Sequence, residues 1–373
     1  MANSESNKNL HNAKNQKKDE FYTQLSDIEN EMKYHNKSYF KNKVVYCNCD
    51  DPRISNFFHY FSYNFEKLKL KKLIATCYKN QEMDLFSKND SEKSIYLEYN
   101  GDKNGNKIPD IEEIGIQYLE GDGDFRNKES IEILKQSDIV VTNPPFSLFR
   151  EFVQQLIDYK KKFLIIGNLN AITYKETFKL LKENKMWLGP SIISGDREFG
   201  VPDEYPLKAA GFRIGEDGRK YIRVKGVRWF TNLKVKKLEE EIPLYKNYDP
   251  KINIKYDNYN AVNVDKTNEI PIDYFKEMGV PITFMDKYNS KQFEILGITS
   301  GRDEFEARPT KRYIQPKQIN LNGKISNGSK ANTRATILLN KKPNDIYYTA
   351  ENVKGYLKIL YARIIIKRIK KKK

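Results

Sequence analysis

From about residue 43 the chain alternates short apolar runs with segments whose apolar residues recur at helical spacing. VVYCNC, starting at Val44, predicts a strand. NFFHYFSYNFEKL puts Phe57, Phe61, Phe65 and Leu68 on one helical face, and KKLIATCY predicts a second strand. A polar stretch rich in Asn, Asp and Gly, residues 79–113, interrupts the pattern. IGIQYLEGDGDF follows, then the helical IEILKQ and the apolar run of DIVVTNPPF. FREFVQQLIDYKK predicts a helix with Phe149, Phe152, Val153, Leu156 and Ile157 sharing a face, and KFLIIGN the strand after it.

Strands separated by helices imply an α/β fold with a doubly wound, mostly parallel sheet, because parallel neighbours need a crossover of about a dozen residues or more. Ligands bind such sheets at the carboxyl ends of the strands. Residues 186–233 read as strands joined by Gly-rich turns that add an antiparallel element. Beyond about residue 240 the sequence turns irregular and rich in Tyr and Lys, with a basic stretch around Arg308 to Arg312. The pattern divides the chain into an N-terminal segment (1–40), an α/β domain (41–240) and a candidate DNA-facing region with a basic tail (241–373). Residues 1–20 read as a mobile arm and FYTQLSDIENEM as a short docking helix. The Lys370–Lys373 tail reads as a solvated end or a phosphate contact.

At 373 residues the chain is long enough for two domains, and 25 Tyr with 20 Phe supply ample core. Lys and Arg outnumber Asp and Glu by 66 to 50, and the net charge of +16 favours a polyphosphate partner. Genomic base bias toward Lys and Asn explains the same excess equally well. Cys47, Cys49 and Cys77 make no disulfide framework or metal knuckle, and His11, His35 and His59 sit in no ligand motif, so a reducing cytoplasm is expected and a metal site is not. No apolar run approaches the roughly 20 residues that span a bilayer.

The chemistry concentrates at Asn143-Pro144-Pro145-Phe146, directly after Ile139-Val140-Val141 and before a helix. The adenine amine is a poor nucleophile because its lone pair is delocalised into the ring. Methylating it calls for acceptors that hold both N–H groups while the nitrogen pyramidalises. Asn143 offers one acceptor and the Pro144 carbonyl another; the two prolines keep the loop extended, and Phe146 can stack on the base. A proline turn that ends a strand, with Asn143 as helix cap and Phe146 in the core, is the alternative.

Around that motif the chain resembles the adenine-specific DNA methyltransferases of the EcoRI type. The resemblance rests on DEFYTQLSDIE (19–29), VVYCNCDDPRISNFFHYF (44–61), GDFR (123–126), DIVVTNPPFSLFREFV (138–153), VRWFTNL (227–233) and VPITFMDKYNSKQFEILG (280–297). It implies the Rossmann-like fold of class I S-adenosylmethionine-dependent methyltransferases, with 1–40 as an arm and cofactor-contacting segment, 41–240 as the catalytic domain and 241–373 as the target-recognition region. It also implies cofactor contacts from Tyr22 and Thr23, from the turn Asp50, Asp51 and Pro52, and from Asp124 and Phe125 beside the cofactor's adenine. Double-stranded DNA is the implied partner, with GAATTC or another short palindrome as target and a monomer acting beside a cognate restriction endonuclease. Two departures stand out. CNCDDPRISN lacks the glycine usual in such cofactor turns, and the strand ending Cys77-Tyr78 lacks an acidic residue for the ribose, leaving Glu82 or Asp84 as substitutes.

The expected reaction is direct displacement by the N6 of a flipped adenine, without metal or covalent intermediate. Methylation of RNA or of a protein glutamine uses the same kind of motif, and a catalytically silent nucleic-acid-binding protein would keep the fold alone. Cytosine C5 methylation is excluded, since it needs a nucleophilic Cys after Pro and the three cysteines follow Tyr46, Asn48 and Thr76.

Overall fold

The computed structural model describes residues 21–52, 55–78, 94–106, 109–110, 113–201, 211–216, 218–299 and 307–370. The expected arm (1–20), Glu82, Asp84 and Lys371 to Lys373 lie outside the described residues. The chain forms two compact units. The first comprises residues up to Ala171 together with Met186–Val235; the second comprises Ile172–Lys185 and Lys236–Lys373. Among the described residues no helix is long and apolar enough to cross a membrane.

The first unit is an α/β assembly around an eight-stranded sheet. Its strands are β1 (Val44–Cys47), β2 (Lys72–Thr76), β3 (Ile95–Tyr99), β4 (Ile114–Tyr118), β5 (Ile139–Thr142), β6 (Lys162–Asn168), β7 (Trp187–Leu188) and β11 (Val227–Thr231), in the order β4-β3-β2-β1-β5-β6-β11-β7. Between β7 and β11 in sequence, β8 (Asp196–Val201), β9 (Arg213–Ile214) and β10 (Lys220–Lys225) form a separate antiparallel sheet in the order β8-β10-β9. Helices α1 (Leu25–Met32), α2 (Asn56–Tyr63), α3 (Phe65–Leu68), α4 (Lys128–Gln136) and α5 (Phe149–Asp158) complete the unit.

One expectation is corrected: the large sheet is mixed rather than mostly parallel. Only β2-β1-β5-β6 run parallel, while β3, β4, β11 and β7 join antiparallel on the flanks. Burial gives the physical reason. Every residue of β1 and β5 is buried, as parallel strands covered on both faces require, whereas β3 alternates buried and half-buried residues and β4 is mostly exposed. β3 also lies inside the stretch that the sequence pattern reads as an interruption.

Alternate strand residues divide between the two faces of the sheet. Val45, Cys47, Val141, Leu164, Ile166 and Trp229 join a cluster with Phe57 and Phe61 of α2. On β11 the next residue, Phe230, packs instead on Phe149 of α5, ring centroids 5.0 Å apart. Helix α1 is anchored by its buried Glu31, which accepts from the Ser191 amide at 3.0 Å and pairs with His35 Nε2 at 2.9 Å.

The second unit holds α6 (Lys175–Lys182) and two further sheets. The first contains β12 (Val262–Asn263), β13 (Met278–Pro281), β14 (Phe293–Ile298) and β20 (Arg363–Arg368), in the order β12-β13-β20-β14. The second contains β15 (Lys317–Ile319), β16 (Ile325–Asn327), β17 (Thr336–Leu339), β18 (Tyr347–Thr349) and β19 (Tyr356–Ile359), in the order β16-β15-β18-β19-β17. The apolar part of the C-terminal YLKILYARIIIKR thus supplies one strand to each sheet.

Trp229 is fully buried, meets Phe57 edge-to-face at 6.0 Å, and its indole N–H has no hydrogen-bond partner. Trp229→Ala should therefore lower stability by about 3–5 kcal/mol. Trp229→Phe should cost well under half of that, since it keeps most of the volume and removes an unsatisfied donor. Urea midpoints of the two variants check the ordering, and equal losses would contradict it.

Candidate active site

The strand order reverses at β1, whose neighbours β2 and β5 lie on opposite sides of it, and α/β sheets bind ligands at the strand carboxyl ends beside such a reversal. Cys47 and Thr142 are the last residues of β1 and β5, so Asn48 to Pro52 and Asn143 to Phe146 emerge there. The Thr142 hydroxyl donates to the Asn48 carbonyl and ties the two ends together.

Asn143 is buried, 6% exposed. Its Nδ2 donates to the main-chain carbonyl of Phe21 at 2.6 Å, and its Oδ1 has no protein partner. That contact settles the orientation of the amide, because an oxygen at the Nδ2 position would face the Phe21 oxygen. Pro144 is buried, and Pro145 is extended (φ −53°, ψ 125°) with its carbonyl accepting from Leu148 N at 2.9 Å. Phe146 opens the short 3-10 turn Phe146–Leu148 that leads into α5. Its ring is 9% exposed and meets Phe21 edge-to-face at 5.7 Å.

The segment Phe21-Tyr22-Thr23 is fastened across this loop on three sides. Tyr22 exchanges two main-chain hydrogen bonds with Gly200 of β8 (2.8 and 3.0 Å). The Thr23 carbonyl accepts from Asn56 Nδ2 at the start of α2 (2.7 Å), and the Phe21 ring packs on Phe146 and Phe199. Thr23 is 1% exposed, and its hydroxyl, like Asn48 Oδ1, is buried without a protein partner.

In the turn after β1, Asp50 is buried and accepts from the Ser55 hydroxyl at 3.3 Å, while the Asp51 carbonyl accepts from Ser55 N at 2.8 Å. Ser55 in turn caps α2 through Phe57 N, and Pro52 is buried against the turn. The turn contains no glycine, yet a left-handed residue is present: Cys49 takes it, at φ +82°. Burial pushes the Cys47 thiol well above its ordinary range, with the nearby Asp50 charge adding to the effect. That is the opposite of what a nucleophilic cysteine needs.

Asp124 and Phe125 stand apart from this stitching and connect to it through α5. Asp124 is clamped by Arg126 (Nη2 at 2.6 Å, Nε at 2.8 Å). Phe125 is 8% exposed, packs edge-to-face on Phe152 at 5.1 Å, and its carbonyl accepts from Gln155 Nε2 at 2.9 Å. Gly123, at φ +75°, brings this loop onto the end of β2, where a Cβ would collide with the Cys77 carbonyl.

Phe21, Asn48, Asn56 and Gly123, which sequence reasoning passed over, thus join the candidate site through their contacts. Only Gly123, between two aspartates in GDGDF, carries a local signal; the others act through a carbonyl or a common amide. Two clefts lie elsewhere among the described residues. The one in the first unit is an open polar groove of about 660 Å³ lined by Gln24, Asp27, Arg197 and Arg223, without any residue of the Asn143 loop.

The family of the adenine-specific methyltransferase EcoRI matches residues 9–369. The type II methyltransferase M.EcoRI of Escherichia coli is 49% identical over 326 residues, 87% of this chain and 95% of its own. The type II methyltransferase M.MgeORF184P of Mycoplasma genitalium is 37% identical over 84% of this chain and 94% of its own. M.MpnI of Mycoplasma pneumoniae is 39% identical over 76% and 83%. No solved structure matches the chain. The class so defined is a type II DNA methyltransferase specific for adenine. The chain belongs to the EcoRI family of adenine-specific methyltransferases, which selects the adenine reading over the RNA, glutamine and catalytically silent alternatives.

The Phe21 contact makes Asn143→Asp a disruptive change. A carboxylate there faces a carbonyl oxygen in a buried site, so its pKa rises and only the protonated form can donate to Phe21. Stability should therefore be nearest to wild type at acidic pH and should fall as pH rises through the raised pKa, by about 1–3 kcal/mol in total. Thermal melts across pH, set beside the wild type, read this directly; a pH-independent difference would contradict it.

Proposed function

We propose that this methyltransferase moves a methyl group from S-adenosylmethionine to the N6 amine of an adenine swung out of duplex DNA, and that the Asn143–Phe146 loop holds the base. The observation that carries the reading is the amide of Asn143: Nδ2 is tied to Phe21, and Oδ1 is a buried acceptor without a protein partner. A buried, unsatisfied acceptor costs about 1–3 kcal/mol, and its retention at a strand end points to use.

The residues at hand fit the cofactor. Thr23 Oγ1 and Asn48 Oδ1 are buried polar atoms without a protein partner, and the Asp50 carboxylate lies in the same turn as Asn48. Together they suit a ligand with hydroxyl, amino and cationic groups, and Tyr22, Asp51, Pro52, Asp124 and Phe125 would complete its surroundings. When bound, S-adenosylmethionine supplies an electrophilic methyl on a sulfonium.

Asn143 Oδ1 and the Pro144 carbonyl accept from the two N6 hydrogens, which lets the nitrogen pyramidalise and recover its lone pair. The proton leaves after the methyl arrives, so no strong base is required of the chain. The adenine must leave the stack, because N6 inside the duplex cannot reach a site at a sheet edge. Phe146 offsets part of the unstacking cost of a few kcal/mol.

The doubly wound, Rossmann-like arrangement is the reading of the parallel strands and their reversal at β1. The second unit is the target-recognition region, with GAATTC or another short palindrome as the site. A monomer in the cytoplasm, paired in function with a restriction endonuclease, completes the proposal.

Asn143→Ala should lower methyl transfer by about 10²–10³-fold while cofactor and duplex affinities stay within about tenfold. Near-normal turnover would reduce Asn143 to a structural cap. With 2-aminopurine at the target adenine, fluorescence should change at that position alone, and Phe146→Ala should weaken this response more than it weakens duplex binding. An unchanged signal in an enzyme that still methylates the duplex would defeat base flipping.

A further inference from the structure

Between Ala307 and Asn344 the chain carries nine Lys or Arg residues and no Asp or Glu. This stretch builds most of the sheet β16-β15-β18-β19-β17. At its edge β15 and β16 form a hairpin, pairing Lys317 with Asn327 and Ile319 with Ile325. The tip Asn320-Leu321-Asn322-Gly323-Lys324 is firmly built. Asn320 N donates to the Lys324 carbonyl (3.0 Å), Gly323 N to the Asn320 carbonyl (2.9 Å) and Lys324 N to Asn322 Oδ1 (3.0 Å), with Gly323 at φ +77°. One face of the hairpin is anchored inward: Tyr348, buried in the core of this sheet, donates to Gln318 Oε1 at 2.6 Å.

The outward side breaks two rules. Turn tips favour small or polar residues, yet Leu321 sits at this one, 74% exposed. Edge strands are normally blunted against association, yet Ile325 on β16 is 60% exposed. Lys317 and Lys324 flank these two side chains and are exposed as well. A rigid ribbon with apolar side chains at its tip and cations beside them matches the groove of a nucleic-acid duplex, where phosphates line the rims and base edges the floor.

We propose that the β15–β16 hairpin enters the major groove of the substrate duplex, with Lys317 and Lys324 against phosphates and Leu321 against the C5-methyl of a thymine. The major groove, about 12 Å wide, admits a two-stranded ribbon and displays that methyl. The proposal rests on the duplex-DNA reading above and adds the element and side chain that read a base. Every adenine target in a duplex faces a thymine, and further thymines lie in any A·T-containing site.

The test combines protein and DNA changes in the full chain. Replacing thymines of the methylated site one at a time with uracil removes only the methyl. At one position this should lower wild-type kcat/KM by about fourfold, the worth of burying one such group. Leu321→Ala should lose at least as much on normal DNA and then show no further loss with uracil at that position. Replacing both Lys317 and Lys324 with Ala should make the log–log salt dependence of duplex affinity shallower by about 1.8, from 0.9 per phosphate contact. Cofactor affinity and melting temperature should stay as in wild type. A Leu321→Ala enzyme still sensitive to uracil, or a lysine pair that leaves the salt slope unchanged, overturns the hairpin assignment while DNA methylation itself persists. A chain that methylates no duplex at all would instead overturn the reading beneath it.

Discussion

The hydrogen bond from Asn143 Nδ2 to the Phe21 carbonyl decides what the rest of the site can do. It presents the amide oxygen as the free acceptor, and it requires a main-chain carbonyl 122 residues earlier in sequence to sit at a fixed place. The other tethers serve that requirement: the Tyr22–Gly200 bridge holds the segment from one side, and Asn56 grips the Thr23 carbonyl from another. Leaving Thr23 Oγ1, Asn48 Oδ1 and Asn143 Oδ1 buried without protein partners is costly, at about 1–3 kcal/mol each. A large aromatic core beneath them offsets that cost, with Phe57, Phe61 and Trp229 all at 0% exposure.

The mixed sheet places the site. Its four parallel strands occupy the centre, where both faces are covered, and the antiparallel strands close the flanks. The strand order reverses at β1, which places the carboxyl ends of β1 and β5 side by side. Two loops of different character emerge there, a turn made left-handed by Cys49 and an extended loop stiffened by Pro144 and Pro145. Because Thr142 binds the Asn48 carbonyl, the two loops keep their spacing.

Charge is distributed just as unevenly. The net excess of +16 includes the nine cations between Ala307 and Asn344, a stretch that contains no Asp or Glu, so it is a local feature of the second unit rather than an even coating. Arg334 lies over Tyr361 and Lys342 over Tyr347, while Lys311 pairs with Asp257, so some of these cations support the fold. Lys317 and Lys324, on the projecting hairpin, are left to act outward.

The sequence by itself determined the central strands, the helices α2 and α5 and the place of the Asn143–Phe146 loop, because each is a local pattern: an apolar run, a 3.6-residue period, or an Asn-Pro-Pro-Phe between a strand and a helix. It did not reveal β3, whose IYLEY lies in a stretch dominated by polar residues, nor the antiparallel direction of the β3–β4 flank, since strand direction depends on how distant segments pair; the antiparallel element of residues 186–233 was legible and is borne out by β11 and β7. The missing glycine in the turn after β1 was plain in the sequence, but that Cys49 would take the left-handed conformation was not. Only the tertiary structure decided the orientation of the Asn143 amide and the roles of Asn48, Asn56 and Phe21. Those depend on which carbonyl or amide arrives opposite from another part of the chain, and a main-chain carbonyl leaves no signature in the residue that bears it.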